Sequence, residues 1–215
     1  MALDALKRAG CTDILAISAV GSLSEDLAPG RFVTVDQFID NTKGRPASFF
    51  GDGFVAHVSM ADPVCERLSK HAAKAVLASG GDCTEGATYL AMEGPQFSTR
   101  AESRLYRHWG AEVIGMTAMP EARLAREAEL PYALLAMVTD YDCWREDGDA
   151  VDVAQVVAQM QDNAELARKA VELFCRSLPR QRTPSPIDRA LDNAVITAPD
   201  KRDRAAMTRL DAIAG

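Results

Sequence analysis

Tyr132-Ala-Leu-Leu-Ala-Met-Val138 follows Leu130-Pro131 and runs straight into Thr139-Asp-Tyr-Asp-Cys-Trp144. So short and continuously apolar a run fits a strand covered on both faces, which requires a sheet packed between helices. The acids after it then stand at the strand's carboxyl end, where α/β sheets hold their ligands. In an extended chain Asp140 and Asp142 point to one side, roughly 6–7 Å apart along the backbone, with Tyr141 opposite. Two neighbouring, partly desolvated carboxylates raise each other's pKa, so one of them can hold a proton near neutrality and serve as a general acid. A solvated loop is the commoner setting for such a pair, but Trp144 directly behind it is a large ring that seeks cover.

The rest of the chain repeats the alternation of helix and strand. Residues 1–10 read as the end of a helix stopped by Gly10, feeding the apolar strand Asp13–Val20, which opens on Gly21. A helix that enters a buried parallel strand is normally the second half of a β-α-β unit, so the first strand of that unit is expected to be missing. Further strands are expected over Arg31–Phe38, Phe54–Val58, Thr84–Met92 and Glu112–Met116. Helices are expected over Pro63–Ser79, Arg100–Trp109, Pro120–Glu129 and, longest of all, Val151–Leu178. Ser98 or Thr99 can cap the second of these, with Glu102 as its first-turn acid. Residues 179–186 carry Arg180 and Arg182 and read as a solvated crossing loop before a C-terminal helical extension over 179–215. The whole of 1–215 reads as a single α/β domain.

With 215 residues and 47% hydrophobic content the chain can bury one sizeable core, and a net charge of −7 argues against nucleic acid or an anionic membrane as partner. Five widely spaced cysteines without a C-x-x-C point to a reducing, cytoplasmic setting. His57, His71 and His108 show no metal-ligand spacing, so no metal is expected.

Ser18-Ala-Val-Gly-Ser-Leu23, Val35-Asp-Gln-Phe-Ile-Asp40, Arg45-Pro46 with Ser48-Phe49, Met92-Glu-Gly-Pro-Gln-Phe-Ser-Thr-Arg-Ala-Glu-Ser103, Ile114-Gly-Met-Thr117 with Pro120-Glu121, and Thr139-Asp-Tyr-Asp-Cys-Trp144 follow one another at telling intervals. Together they resemble the 5′-methylthioadenosine phosphorylase family of trimeric purine nucleoside phosphorylases, from about residue 2 to residue 178. The resemblance implies a three-layer α/β/α sandwich around a mixed, partly closed sheet of the purine and uridine phosphorylase type. It implies phosphorolysis of S-methyl-5′-thioadenosine to adenine and 5-methylthioribose 1-phosphate, in a homotrimer, with phosphate as co-substrate and no cofactor. A purine nucleoside phosphorylase of other specificity, and a non-catalytic purine-binding fragment, are the alternatives.

Residue by residue, the resemblance gives Asp140 the hydrogen bond to purine N7 and Asp142 the 6-amino group. Asp140 with Ser98 favours adenine over 6-oxopurines. Phe97 would lie along base and sugar, Met116 under the ribose, and Ser18, Ala19 and Thr117 around phosphate. Val153, Val156 and Val157 would wall the 5′-methylthio group, though helix-core packing accounts for the valines equally well. His57 matches a histidine that reaches a neighbouring subunit's pocket; an ordinary strand histidine fits its context too. Family members carry a long N-terminal segment with a phosphate loop and an Arg-His pair. The present residues contain neither, and phosphate is expected to be held weakly.

Overall fold

The computed structural model describes residues 2–145 and 153–215. The run that opened the sequence argument is β7 (Tyr132–Asp140), and all of it but Asp140 is buried. Its even-numbered residues Leu134, Ala136 and Val138 pack with Leu124 and Ala125 of α4 (Glu121–Glu127) and Leu3 of α1 (Ala2–Arg8). Its odd-numbered residues Ala133, Leu135 and Met137 pack with Leu68, Ala72 and Val76 of α2 (Glu66–Ala78) and with Ala167, Ala170 and Phe174 of α5 (Val153–Arg176). A period-two strand with helices on both faces makes the molecule a three-layer α/β/α sandwich. The expected start of α5 at Val151 lies outside the described residues.

Beside β7 runs β1 (Ile14–Ser22), parallel to it and in register from Ile14 opposite Tyr132 to Val20 opposite Val138, after which the register shifts by one residue and Gly21 stands opposite Asp140. Five shorter strands complete the sheet: β2 (Phe32–Thr34), β3 (Gln37–Asn41), β4 (Cys83–Glu85), β5 (Thr88–Met92) and β6 (Val113–Gly115). Their order is β3-β5-β6-β1-β7-β2-β4, with β1–β6 and β2–β7 antiparallel and the other pairs parallel. The sheet is therefore mixed.

Arg31–Phe38 and Thr84–Met92 are each two strands rather than the single ones expected. Val35-Asp36 joins β2 to β3, and Gly86-Ala87 joins β4 to β5. Five strand spacings, about 24 Å on a flat sheet, separate β2 from β3, while three Cα steps from Thr34 to Gln37 reach about 11 Å. Such short links can serve only a sheet that curls toward closure, with both β2 and β4 passing directly into strands of the far side. Phe54–Val58 is not a strand either; it makes isolated bridges, Gly51 with Phe54 and Ala56 with Val195. Beyond α5 the chain forms two short 3₁₀ turns and the helices α6 (Arg204–Arg209) and α7 (Asp211–Ala214). Arg182 is not solvated as expected, because it is ion-paired to Asp13 at 2.5 Å and to Asp188 at 2.6 Å.

Candidate active site

The carboxyl ends of β1 and β7 open on a cavity of about 240 Å³. Ala19, Phe97, Met116, Thr117, Asp140, Asp142 and Val156 line it together with Gly21, Met92, Ile114 and Thr139. Residues from five separate stretches of sequence thus meet at these strand ends.

Asp140 is held from two sides: its Oδ2 accepts from Thr139 Oγ1 at 2.7 Å and its Oδ1 accepts from the Asp142 N–H at 2.7 Å. Thr139 Oγ1 also lies 3.1 Å from the Val20 carbonyl, tying the acid to β1. The extended geometry expected for Asp140-Tyr-Asp142 does not occur, since the chain turns after β7 and Asp142 takes the left-handed conformation with φ 51°. An aspartate tolerates that region because its short side chain bonds local backbone. Both carboxylates nevertheless reach the cavity. Trp144 Nε1 donates to the Ser22 carbonyl at 2.8 Å and pins the turn onto β1. Arg107 stacks 3.5 Å above the same indole, so the ring is covered as its size demands.

Burial pushes Asp142 up to about 6, with the Asp140 charge adding to the rise and the Ser103 hydroxyl working against it. Asp142 Oδ2 is buried without a hydrogen-bond partner among the described residues. Gly21 leaves the room for this arrangement: a Cβ there would stand 3.1 Å from Asp140 Oδ1 and 3.2 Å from the Ile114 side chain. At Gly115 a Cβ would meet the Tyr89 hydroxyl at 2.1 Å, so the end of β6 also admits no side chain.

Ser18 Oγ and Thr117 Oγ1 are 2.9 Å apart, two hydroxyls from separate elements beside the Ala19 backbone. Phe97 leaves 46% of its surface exposed, an open ring face at the cavity mouth. Ser98 stands next to the cavity rather than in its wall, with its Oγ 3.7 Å from Met92 Sδ and its carbonyl accepting from Cys143 Sγ at 3.2 Å. Of the three valines Val156 faces the cavity, while Val153 and Val157 are 61% and 41% exposed and lie outside its lining. His57 is elsewhere, in a separate cavity with Glu127 and Arg123. Among the described residues that line the cavity at Asp140 there is no Lys, Arg or His. The described residues hold no group of His, Cys, Asp and Glu placed for a metal ion, and no helix among them is long and apolar enough to cross a membrane.

Two contributors escape sequence reasoning. Arg45 donates to the carbonyls of Met116, Met119 and Glu93, at 2.7 Å each, and so fixes the loop carrying Met116 and Thr117. Asn163, buried in α5, donates to the Val138 carbonyl at 3.0 Å and anchors that helix beside the acids. Arg45 had its motif as a signal; a lone Asn in an amphipathic helix gives none.

A curled mixed sheet with its acids and paired hydroxyls at the strand ends defines a nucleoside phosphorylase-like α/β protein. The chain belongs to the phosphorylase superfamily, whose family model matches residues 1–176. Among its relatives is the S-methyl-5′-thioadenosine phosphorylase of Bradyrhizobium diazoefficiens, 54% identical over 215 residues that cover 99% of this chain and 74% of that protein. That of Cereibacter sphaeroides is 55% identical, with the same coverage of 99% and 74%. A methylthioadenosine phosphorylase from an antarctic soil metagenomic library has the same fold, with a TM-score of 0.92 and 44% identity over 98% of this chain and 75% of that one. The Schistosoma mansoni methylthioadenosine phosphorylase in complex with adenine superposes with a TM-score of 0.82 at 34% identity, covering 87% of this chain and 73% of that one.

Proposed function

We propose that this chain is a pentosyltransferase that cleaves S-methyl-5′-thioadenosine with phosphate, releasing adenine and 5-methylthioribose 1-phosphate. The observation that carries the reading is the pair Asp140 and Asp142 in one cavity with the Phe97 ring and with Thr117, whose hydroxyl bonds the buried Ser18 just behind the lining. Relatives that share 54–55% of its residues bear that activity in their names.

Breaking the N-glycosidic bond leaves positive charge on the sugar and negative charge on the purine, so a donor at N7 stabilises departure. Asp140 takes that place, oriented by Thr139 and by the Asp142 backbone. Asp142, as a carboxylate, accepts from the 6-amino group; this bond favours adenine over a 6-oxopurine, whose oxygen it would repel. Ser18, Ala19 and Thr117 receive phosphate on the sugar's far side. Phe97 and Met116 cover base and ribose, and Val156 borders the 5′ substituent. Ser98 stays beside the base as a neutral neighbour of Asp140. His57 serves the pocket of an adjoining subunit in a homotrimer, for which sedimentation of the purified protein is the check.

Comparing kcat/KM for S-methyl-5′-thioadenosine, adenosine and inosine, each with phosphate, tests the reading by ratios that do not depend on the absolute rate. An apolar 5′ pocket prefers the thioether over the 5′-hydroxyl by about 1–3 kcal/mol. Faster turnover of inosine than of either adenine nucleoside would sink it.

A further inference from the structure

At the opposite end of β7, about 26 Å from Asp140 by eight residues of strand, lies a third cavity, of about 400 Å³. Arg67, in the first turn of α2, and Arg126, in the last turn of α4, both line it, as do Cys65 and Ser185. The two cations differ in how they are compensated. Arg67 is bonded to Asp13, which is shared with Arg182, and Arg182 also binds Asp188, so two guanidinium groups face two carboxylates. Arg126 bonds the Asp62 carbonyl and has no ion pair among the described residues. Nε of Arg67 and Nε of Arg126 are both buried without a hydrogen-bond partner. The acids that line the cavity do not close this account: Glu66 is turned to Lys70 at 2.5 Å, and Asp62 is exposed and acts on Arg126 through its charge alone, without a salt bridge.

Two guanidinium groups line one cavity and Arg126 has no ion pair among the described residues, so the cavity carries a local positive charge that an anion would offset. The same place has the amino end of the 13-residue α2, whose N-cap Cys65 supplies no side-chain hydrogen bond to the first-turn N–H groups. Donors thus converge from α2, α4 and the Ser185 hydroxyl. A planar carboxylate would meet two of these directions; a tetrahedral oxyanion meets all three. The cavity is also large enough for more than the oxyanion itself. We propose that it binds a phosphate-class oxyanion, free or as the end of a small phosphate ester, between Arg67 and Arg126.

Equilibrium dialysis of the whole chain with radiolabelled inorganic phosphate tests this, in a background (S18A with T117V) that weakens the other candidate phosphate position. That background is expected to keep one phosphate per chain. Adding R126Q should weaken it about tenfold or more, the loss expected for a charge-assisted contact, whereas R126K, which keeps the charge but not the planar fork, should fall in between. Circular dichroism melting checks that each variant is folded, and R67Q is read in place of R126Q should the latter melt early. Competition by ribose 5-phosphate as strong as that by unlabelled phosphate assigns the site to an ester, and weaker competition assigns it to the free anion. Binding that is absent in the S18A/T117V background, or unchanged by R126Q and R67Q, overturns the proposal.

Discussion

Asp142 concentrates the chemistry of the site at a single carboxylate. Its pKa stands near about 6 instead of 3.8 because burial disfavours the charged form and the Asp140 charge adds to that. The folded state therefore binds this proton more tightly than the unfolded chain. Between those two values the group's contribution to stability grows as pH falls, and above about 6 the charged carboxylate stands as a net cost. Asp142→Asn removes that cost. Unfolding free energy measured in urea near neutral pH should rise by on the order of 1–3 kcal/mol, a gain that disappears toward pH 4. A variant destabilised at neutral pH would show that the carboxylate holds the turn together rather than straining it. The acid pair was legible because a buried strand that ends in carboxylates is rare and needs a reason. Nothing in Asp-Tyr-Asp announced a left-handed Asp142, since that conformation is imposed by Trp144 bonding the Ser22 carbonyl, 122 positions away.

Among the elements, α3 (Arg100–His108) shows how local chemistry reaches the cavity. Its N-cap Thr99 accepts from the Glu102 N–H, and Glu102 accepts in turn from the Thr99 N–H at 2.8 Å, a capping box that fixes where Phe97 and Ser98 leave the helix. Thr99→Ala should cost about 1 kcal/mol of stability. It should raise KM for the nucleoside more than it lowers kcat, because Phe97 loses its seat while the acids keep theirs. Equal falls in kcat and kcat/KM would argue instead that the loop acts in the transition state. Caps and breakers of this kind were readable from the sequence, as were α2, α3, α4, β1 and β7. The break at Val35-Asp36 was not, for hydrophobic alternation runs through it and only closure of the sheet requires the chain to leave one strand for another; at Glu85-Gly86-Ala87 the glycine was a signal that reading Thr84–Met92 as one strand passed over. Val156 could not be told from Val153 and Val157 either, because all three fit one amphipathic pattern and the cavity touches a single turn of α5.

At the scale of the molecule, the curled sheet brings β1, β6 and β7 to one mouth and gives it acids, hydroxyls and an aromatic face, without a cation among the described residues of its lining. The base half of the site is thus built more fully by these residues than the phosphate half. The central claim is that Asp140 and Asp142 select adenine, and it is tested by the ratio of kcat/KM for S-methyl-5′-thioadenosine to that for inosine, followed from about pH 5 to pH 8 in the presence of phosphate. The ratio should be high and level above the Asp142 pKa of about 6. Below it the ratio should fall by up to about tenfold per pH unit, as a protonated Asp142 ceases to accept from the 6-amino group and becomes a donor to O6. A ratio that stays constant across this range, or one that favours inosine at neutral pH, would contradict the account.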